Sequence, residues 1–126
     1  MQNVQTIKKF YEKIFTRQPF CMTYGWKEQD FQRHLAGLIG GILEFKCPSG
    51  RIDIINNHIV CEIKFASTHG NKTAIGQALC YTYYHPGYIP AIALIGEPEN
   101  PVISEICRKY GIIYMFFYNG IWQISW

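Results

Sequence analysis

Charge is scarce in this chain of 126 residues: only 17% are Asp, Glu, Lys or Arg, and the formal net charge is +3. So mild a basic balance tolerates a polyanionic partner without demanding one. Any positive field for nucleic acid must come from local arrangement. No two of the five cysteines (Cys21, Cys47, Cys61, Cys80, Cys107) form a CxxC pair, which removes zinc knuckles and thioredoxin-like redox chemistry. Their odd number and scatter fit a reducing compartment, with Cys61 and Cys80, inside apolar stretches, expected to act as small hydrophobes. His34, His58, His69 and His85 show no HxH or HxxxH spacing, so no histidine metal site is expected. The longest apolar run, around Met115, is too short to cross a bilayer as a helix, and the charged, amphipathic start carries no secretory pattern. The expectation is a soluble intracellular protein, cytoplasmic or nucleoid-associated, with no membrane partner.

Hydrophobic residues, by contrast, reach 48%, ample for one packed core. Repeats, low-complexity tracts and linkers are missing, so residues 1–126 read as a single domain. Val4, Ile7, Phe10, Tyr11, Ile14 and Phe15 recur at helical spacing over 4–16. After a connector with Pro19, a second helix starts near Lys27 on the stripe Phe31, Leu35, Leu38, Ile39, weakened by Gly37, Gly40 and Gly41. Strands are expected at 42–46, 51–55, 58–65, 91–95, 112–118 and 121–125, with Asn119-Gly120 a hairpin signal. Further helices are expected at 72–84 and 102–110, leaving 66–71 as a polar loop. The order predicts an α/β fold.

The chemistry-bearing stretch runs from Gly50 to Phe65. Strand side chains alternate between faces, which puts His58, Val60, Glu62 and Lys64 on one face of the second strand and Arg51, Asp53 and Ile55 on one face of the first. If Asn56-Asn57 is a two-residue turn, Asp53 faces Val60 and Glu62 is its diagonal neighbour, about 7–8 Å away. An even loop length is required, because an odd register would turn Glu62 and Lys64 away from Asp53. Two carboxylates so placed can grip a divalent ion, and hard oxygen ligands favour Mg²⁺, with Mn²⁺ as a substitute. A neighbouring lysine can orient a metal-bound water and stabilise developing negative charge.

Asp53 followed by Glu62-Ile63-Lys64 resembles the D…ExK signature of PD-(D/E)XK, restriction-endonuclease-like nucleases, with Ile52 where the family name has proline. Lys27–Leu35 resembles the helix before the core hairpin, which in that class often supplies a further glutamate. Two readings of Glu28 stand: a metal ligand reaching the sheet, or a charge favoured at a helix N-terminus; Asp30 is a less well placed substitute. Ala74–Tyr81 resembles the QxxxY helix of RecB-like nucleases, with Gln77 and Tyr81 on one helix face. Tyr81 reads equally as a core aromatic.

The resemblance covers roughly residues 27–95. It implies an αβββαβ core with a mixed central sheet flanked by helices, catalytic residues Asp53, Glu62, Lys64, Gln77, Glu28 and Tyr81, and metal ligands Asp53, Glu62 and Glu28. Arg51, Lys72 and His69 are the expected nucleic-acid contacts, with Arg51 also able to pair with an acid. The expected function is a Mg²⁺-dependent deoxyribonuclease in repair, recombination, restriction or a mobile element, needing no small-molecule cofactor. A two-strand cut would need two active sites, hence a homodimer or higher homo-oligomer, and the C-terminal aromatics Tyr114, Phe116, Tyr118, Trp122 and Trp126 read as core plus interface. The alternative is a catalytically inactive, nuclease-fold DNA-binding or assembly module, since fold does not fix function.

Overall fold

The computed structural model describes residues 3–126. Helices α1 (Val4–Thr16) and α2 (Glu28–Ile39) form where the apolar stripes predict them. Asn3 caps α1, and the Asp30 carboxylate takes the Lys27 amide at the start of α2. Strands β1 (Ile42–Cys47), β2 (Gly50–Ile55) and β3 (Ile59–Phe65) follow, then α3 (Thr68–Tyr84), β4 (Ile89–Ile95), α4 (Pro101–Tyr110), β5 (Ile113–Tyr118) and β6 (Ile121–Ile124). The six strands make one sheet in sequential order. It is mixed: β3, β4 and β5 run parallel, while β1–β2–β3 and β5–β6 pair antiparallel. From α2 to β4 the order is the expected αβββαβ, and the fold is α/β.

Helices cover both faces, because both faces of the central strands are apolar. Tyr11, Phe15, Phe31 and Leu35 of α1 and α2 bury Ile54, Cys61, Ile63, Ala93 and Met115 on one side. Ala74 and Ala78 of α3 and Ile103 and Cys107 of α4 bury Ile92, Leu94, Tyr114 and Phe116 on the other. Trp122 is fully buried and donates from Nε1 to His34 Nδ1 at 3.0 Å, joining β6 to α2. Tyr114, Phe116 and Trp122 are thus core residues, whereas Trp126 is 40% exposed. Cys61 and Cys107 are buried, but Cys80 is exposed on α3, correcting the expectation that it packs as a core hydrophobe.

The largest boundary difference is at α3, which begins at Thr68 and absorbs most of the expected polar loop. Ser67 Oγ accepts the Gly70 amide and Asn71 Oδ1 accepts the Ser67 amide, so the polar residues cap the helix. His69 and Lys72 are therefore the second and fifth residues of the helix, both exposed. A Cβ on Gly70 would lie 2.7 Å from the Phe65 carbonyl oxygen. Gly70→Ala is expected to destabilise the fold by about 1–3 kcal/mol, against the usual helix gain from alanine. Thermal denaturation checks it; an unchanged or higher midpoint would contradict the close packing of α3 on the end of β3.

Candidate functional site

Strand register decides whether the acids meet. Ile55 pairs with Val60 and Ile54 with Cys61, so four residues, Asn56 to Ile59, separate the paired positions. The loop length is even, as required, but two residues longer than expected. Asn56 explains the extra length: its Oδ1 accepts the His58 and Ile59 amides, closing an Asx turn. One step beyond the Ile54–Cys61 pair, Asp53 stands across from Glu62 rather than diagonal to it.

At that step the β2–β3 ladder opens. Asp53 Oδ2 accepts the Ile63 amide at 2.8 Å, doing what a β2 carbonyl would do in an unbroken ladder. The local twist also splits the expected faces of β2: Ile52 packs with Tyr81 and Val60, whereas Ile54 packs with the α1 and α2 core. On the other flank Glu44 lies opposite Asp53, between the Leu43–Ile54 and Phe45–Ile52 pairs, with φ +50°. A glutamate in left-handed backbone is strained, and nothing in the strand's composition signals it. Glu44 lies 3.8 Å from Arg51, so Arg51 makes the acid contact anticipated for it and remains largely exposed.

Asp53 and Glu62 are 5% and 3% exposed. Burial, reinforced by the adjoining Asp53 carboxylate, pushes the Glu62 carboxyl up to about 9, against the opposing pull of Tyr81 and Lys64. At neutral pH Glu62 therefore holds a proton beside Asp53. Glu62 Oε2 and Gln77 Oε1 are both buried without a hydrogen-bond partner. A buried acceptor without a donor favours a proton or a cation beside it. Tyr81 donates to the Arg51 carbonyl at 2.7 Å and also adjoins Glu62, so its core and site readings coincide. Its hydroxyl is raised, by burial first and Glu62 second. Glu28, at the first residue of α2, is raised by burial and feels both Lys64 and Asp53.

The structure thus brings together Asp53, Glu62, Lys64 and Tyr81, with Glu28 within electrostatic reach, while Gln77 lies one turn before Tyr81 on α3. Among the described residues no group of three or more His, Cys, Asp or Glu side chains is disposed to hold a metal. Asp53, Glu62 and Glu28 therefore do not close into the expected three-acid set. Arg51, Lys72 and His69 stay on the rim. Among the described residues no helix is long and apolar enough to cross a membrane.

No protein-family model and no solved structure matches the chain. It is 32% identical over 106 residues to a putative KilA-N domain-containing protein, L33, of Acanthamoeba polyphaga mimivirus, covering 82% of this chain and 42% of that protein. It is 34% identical over 93 residues to a second such mimivirus protein, R878, covering 72% of this chain and 26% of the relative. The relatives are named for a KilA-N domain, not for a nuclease. That overturns the expected metal-dependent deoxyribonuclease. The physical reason is that a loose acid–acid–lysine pattern also has structural work: Asp53 closes the ladder and Glu62 shares its proton. The homodimer, argued from two-strand cutting, loses its rationale with it. The chain spans less than half the length of either relative, and it is to these KilA-N domain-containing proteins that it is similar.

Proposed function

We propose that the chain is a DNA-binding module on a nuclease-like α/β fold. The reading is carried by the similarity to the two KilA-N domain-containing proteins, KilA-N being a DNA-binding domain family. Topology supports it. Arg51 at the start of β2, Lys64 at the end of β3 and Lys72 near the start of α3 lie at one end of the sheet. They are the cations that this end of the sheet offers to a phosphate backbone. Phosphate contact is assigned to these three cations, with His69 beside Lys72. A Mg²⁺ ion, held by Asp53 and Glu62 with the Gln77 amide oxygen, would neutralise phosphate charge there.

Arg51→Gln, Lys64→Gln and Lys72→Gln are each expected to weaken duplex binding severalfold. Each should also lower the slope of log affinity against log salt by about one. Lys109→Gln, at the end of α4 that leads into the start of β5, is expected to bind as the parent does. Fluorescence anisotropy at several salt concentrations reads both quantities. Equal affinities and slopes for all four variants would place the DNA elsewhere or nowhere on the chain.

A further inference from the structure

Helix α3 carries two stripes. Asn71, Ala74, Ala78 and Tyr81 are buried against the rest of the protomer. On the opposite side Gly76, Leu79, Cys80 and Tyr83 are all exposed, Leu79 at 36% and Tyr83 at 81%. Their i, i+3, i+4, i+7 spacing is that of a stripe that packs on another element, yet the described residues leave it uncovered. Tyr84 extends it, exposed, with its ring edge to face with that of Tyr83 at 5.3 Å.

Two observations identify what covers this stripe. The first is charge. From Thr73 to Gly87 the chain has no Asp, Glu, Lys or Arg. The exposed faces of the other helices carry Lys9, Glu12 and Lys13 on α1, Arg33 on α2, and Glu105, Arg108 and Lys109 on α4. A surface that meets its own copy about a twofold axis sets its charges near the same charges of the partner. The α3 stripe has none to set.

The second is the order of sizes. Small and large side chains alternate along the stripe: Gly76, Leu79, Cys80, Tyr83. Turned antiparallel on a second copy, that order complements itself, with Tyr83 opposite the partner's Gly76 and Leu79 opposite the partner's Cys80. The protomer has no need of the glycine, because a Cβ at Gly76 would meet nothing within 4 Å. Inside a helix glycine is less stable than alanine, and a ring arriving from outside supplies the reason for it.

We propose that α3 packs antiparallel on α3 of a second copy, forming a twofold-symmetric dimer with Cys80 beside the axis. Two exposed tyrosines with Leu79, Cys80 and Gly76 offer roughly 500 Å² per copy, about 1,000 Å² in the pair, which is the lower end for a specific interface. The dimer is therefore weak, with a dissociation constant on the order of 100 μM. Lys72, one turn before Gly76, falls beyond the contact, so it stays free in both copies. The proposal stands apart from the DNA-binding reading and is tested without DNA.

Sedimentation equilibrium from about 5 to about 500 μM spans the expected constant. The parent is expected to pass from the monomer mass towards twice that mass, and Leu79→Arg to stay monomeric throughout. Gly76→Leu fills the hole and restores helix preference. It is expected to melt higher than the parent at the dilute end and yet to associate about tenfold or more weakly. A glycine with only a structural role would not separate those two readouts. Copper-catalysed air oxidation at the concentrated end is expected to join two Cys80 thiols as a disulfide, oxygen taking up the two electrons and two protons. Cys80→Ser should abolish that product, and Cys21→Ser and Cys47→Ser should retain it. Circular dichroism matching the parent's confirms that these surface variants fold. A parent that remains monomeric at the concentrated end overturns the proposal. A dimer that persists in Leu79→Arg, or that cross-links equally in Cys80→Ser, uses another face and overturns it as well.

Discussion

Glu62→Gln is expected to melt at a higher temperature than the parent protein at pH 8 in EDTA, and at nearly the same temperature near pH 4. The Glu62 carboxyl titrates at about 9 when folded, against an ordinary value of 4.5. Between those values the folded state holds a proton that the unfolded state has released, so stability falls as pH rises across that window. The decline approaches about 1.4 kcal/mol per pH unit at most. Glutamine carries no proton to lose and keeps the carbonyl oxygen, so its advantage grows from about pH 4.5 towards pH 9 and is negligible below. Calorimetric melting of both proteins from pH 4 to 8.5 measures the difference; parallel profiles would show that Glu62 is ionised beside Asp53 throughout.

The same proton sets the second large effect. A divalent ion on Asp53 and Glu62 must displace it, so Mg²⁺ affinity is expected to rise steeply with pH. With the carboxyl near 9, affinity should increase about thirtyfold between pH 6.5 and 8. Close to one proton should leave for each ion bound. Titration calorimetry in two buffers of different ionisation enthalpy counts that proton directly. Asp53→Asn, which retains an acceptor for the Ile63 amide but loses a charged ligand, is expected to abolish the binding. Affinity independent of pH, or binding that survives in Asp53→Asn, would place the ion elsewhere.

Much of this site was legible in the sequence because it depends on periodicity. The helical stripe of α2 put Glu28 at its start, the alternation of β3 put Glu62 and Lys64 together, and the helical reading of α3 put Tyr81 where it packs with Val60. What escaped was set by side chains acting in place of backbone. Asn56 lengthened the hairpin loop by holding two amides, Ser67 and Asn71 turned a polar loop into the first turn of α3, and Asp53 replaced a ladder carbonyl. Each is a local bond competing with regular structure, which apolar patterning does not register. Glu44 escaped because left-handed glutamate in a strand has no compositional sign. Function was least legible, since the acid–acid–lysine pattern is one that the fold itself employs.

DNA binding without cleavage is tested by a titration of labelled DNA with purified protein at several salt concentrations, with Mg²⁺ and with EDTA, followed by sizing of the recovered DNA. Salt-sensitive binding is expected, with log affinity falling linearly with log salt and DNA of unchanged length under both conditions. Failure to bind at low salt, or strand cleavage that requires Mg²⁺ and disappears in Asp53→Asn, would contradict it.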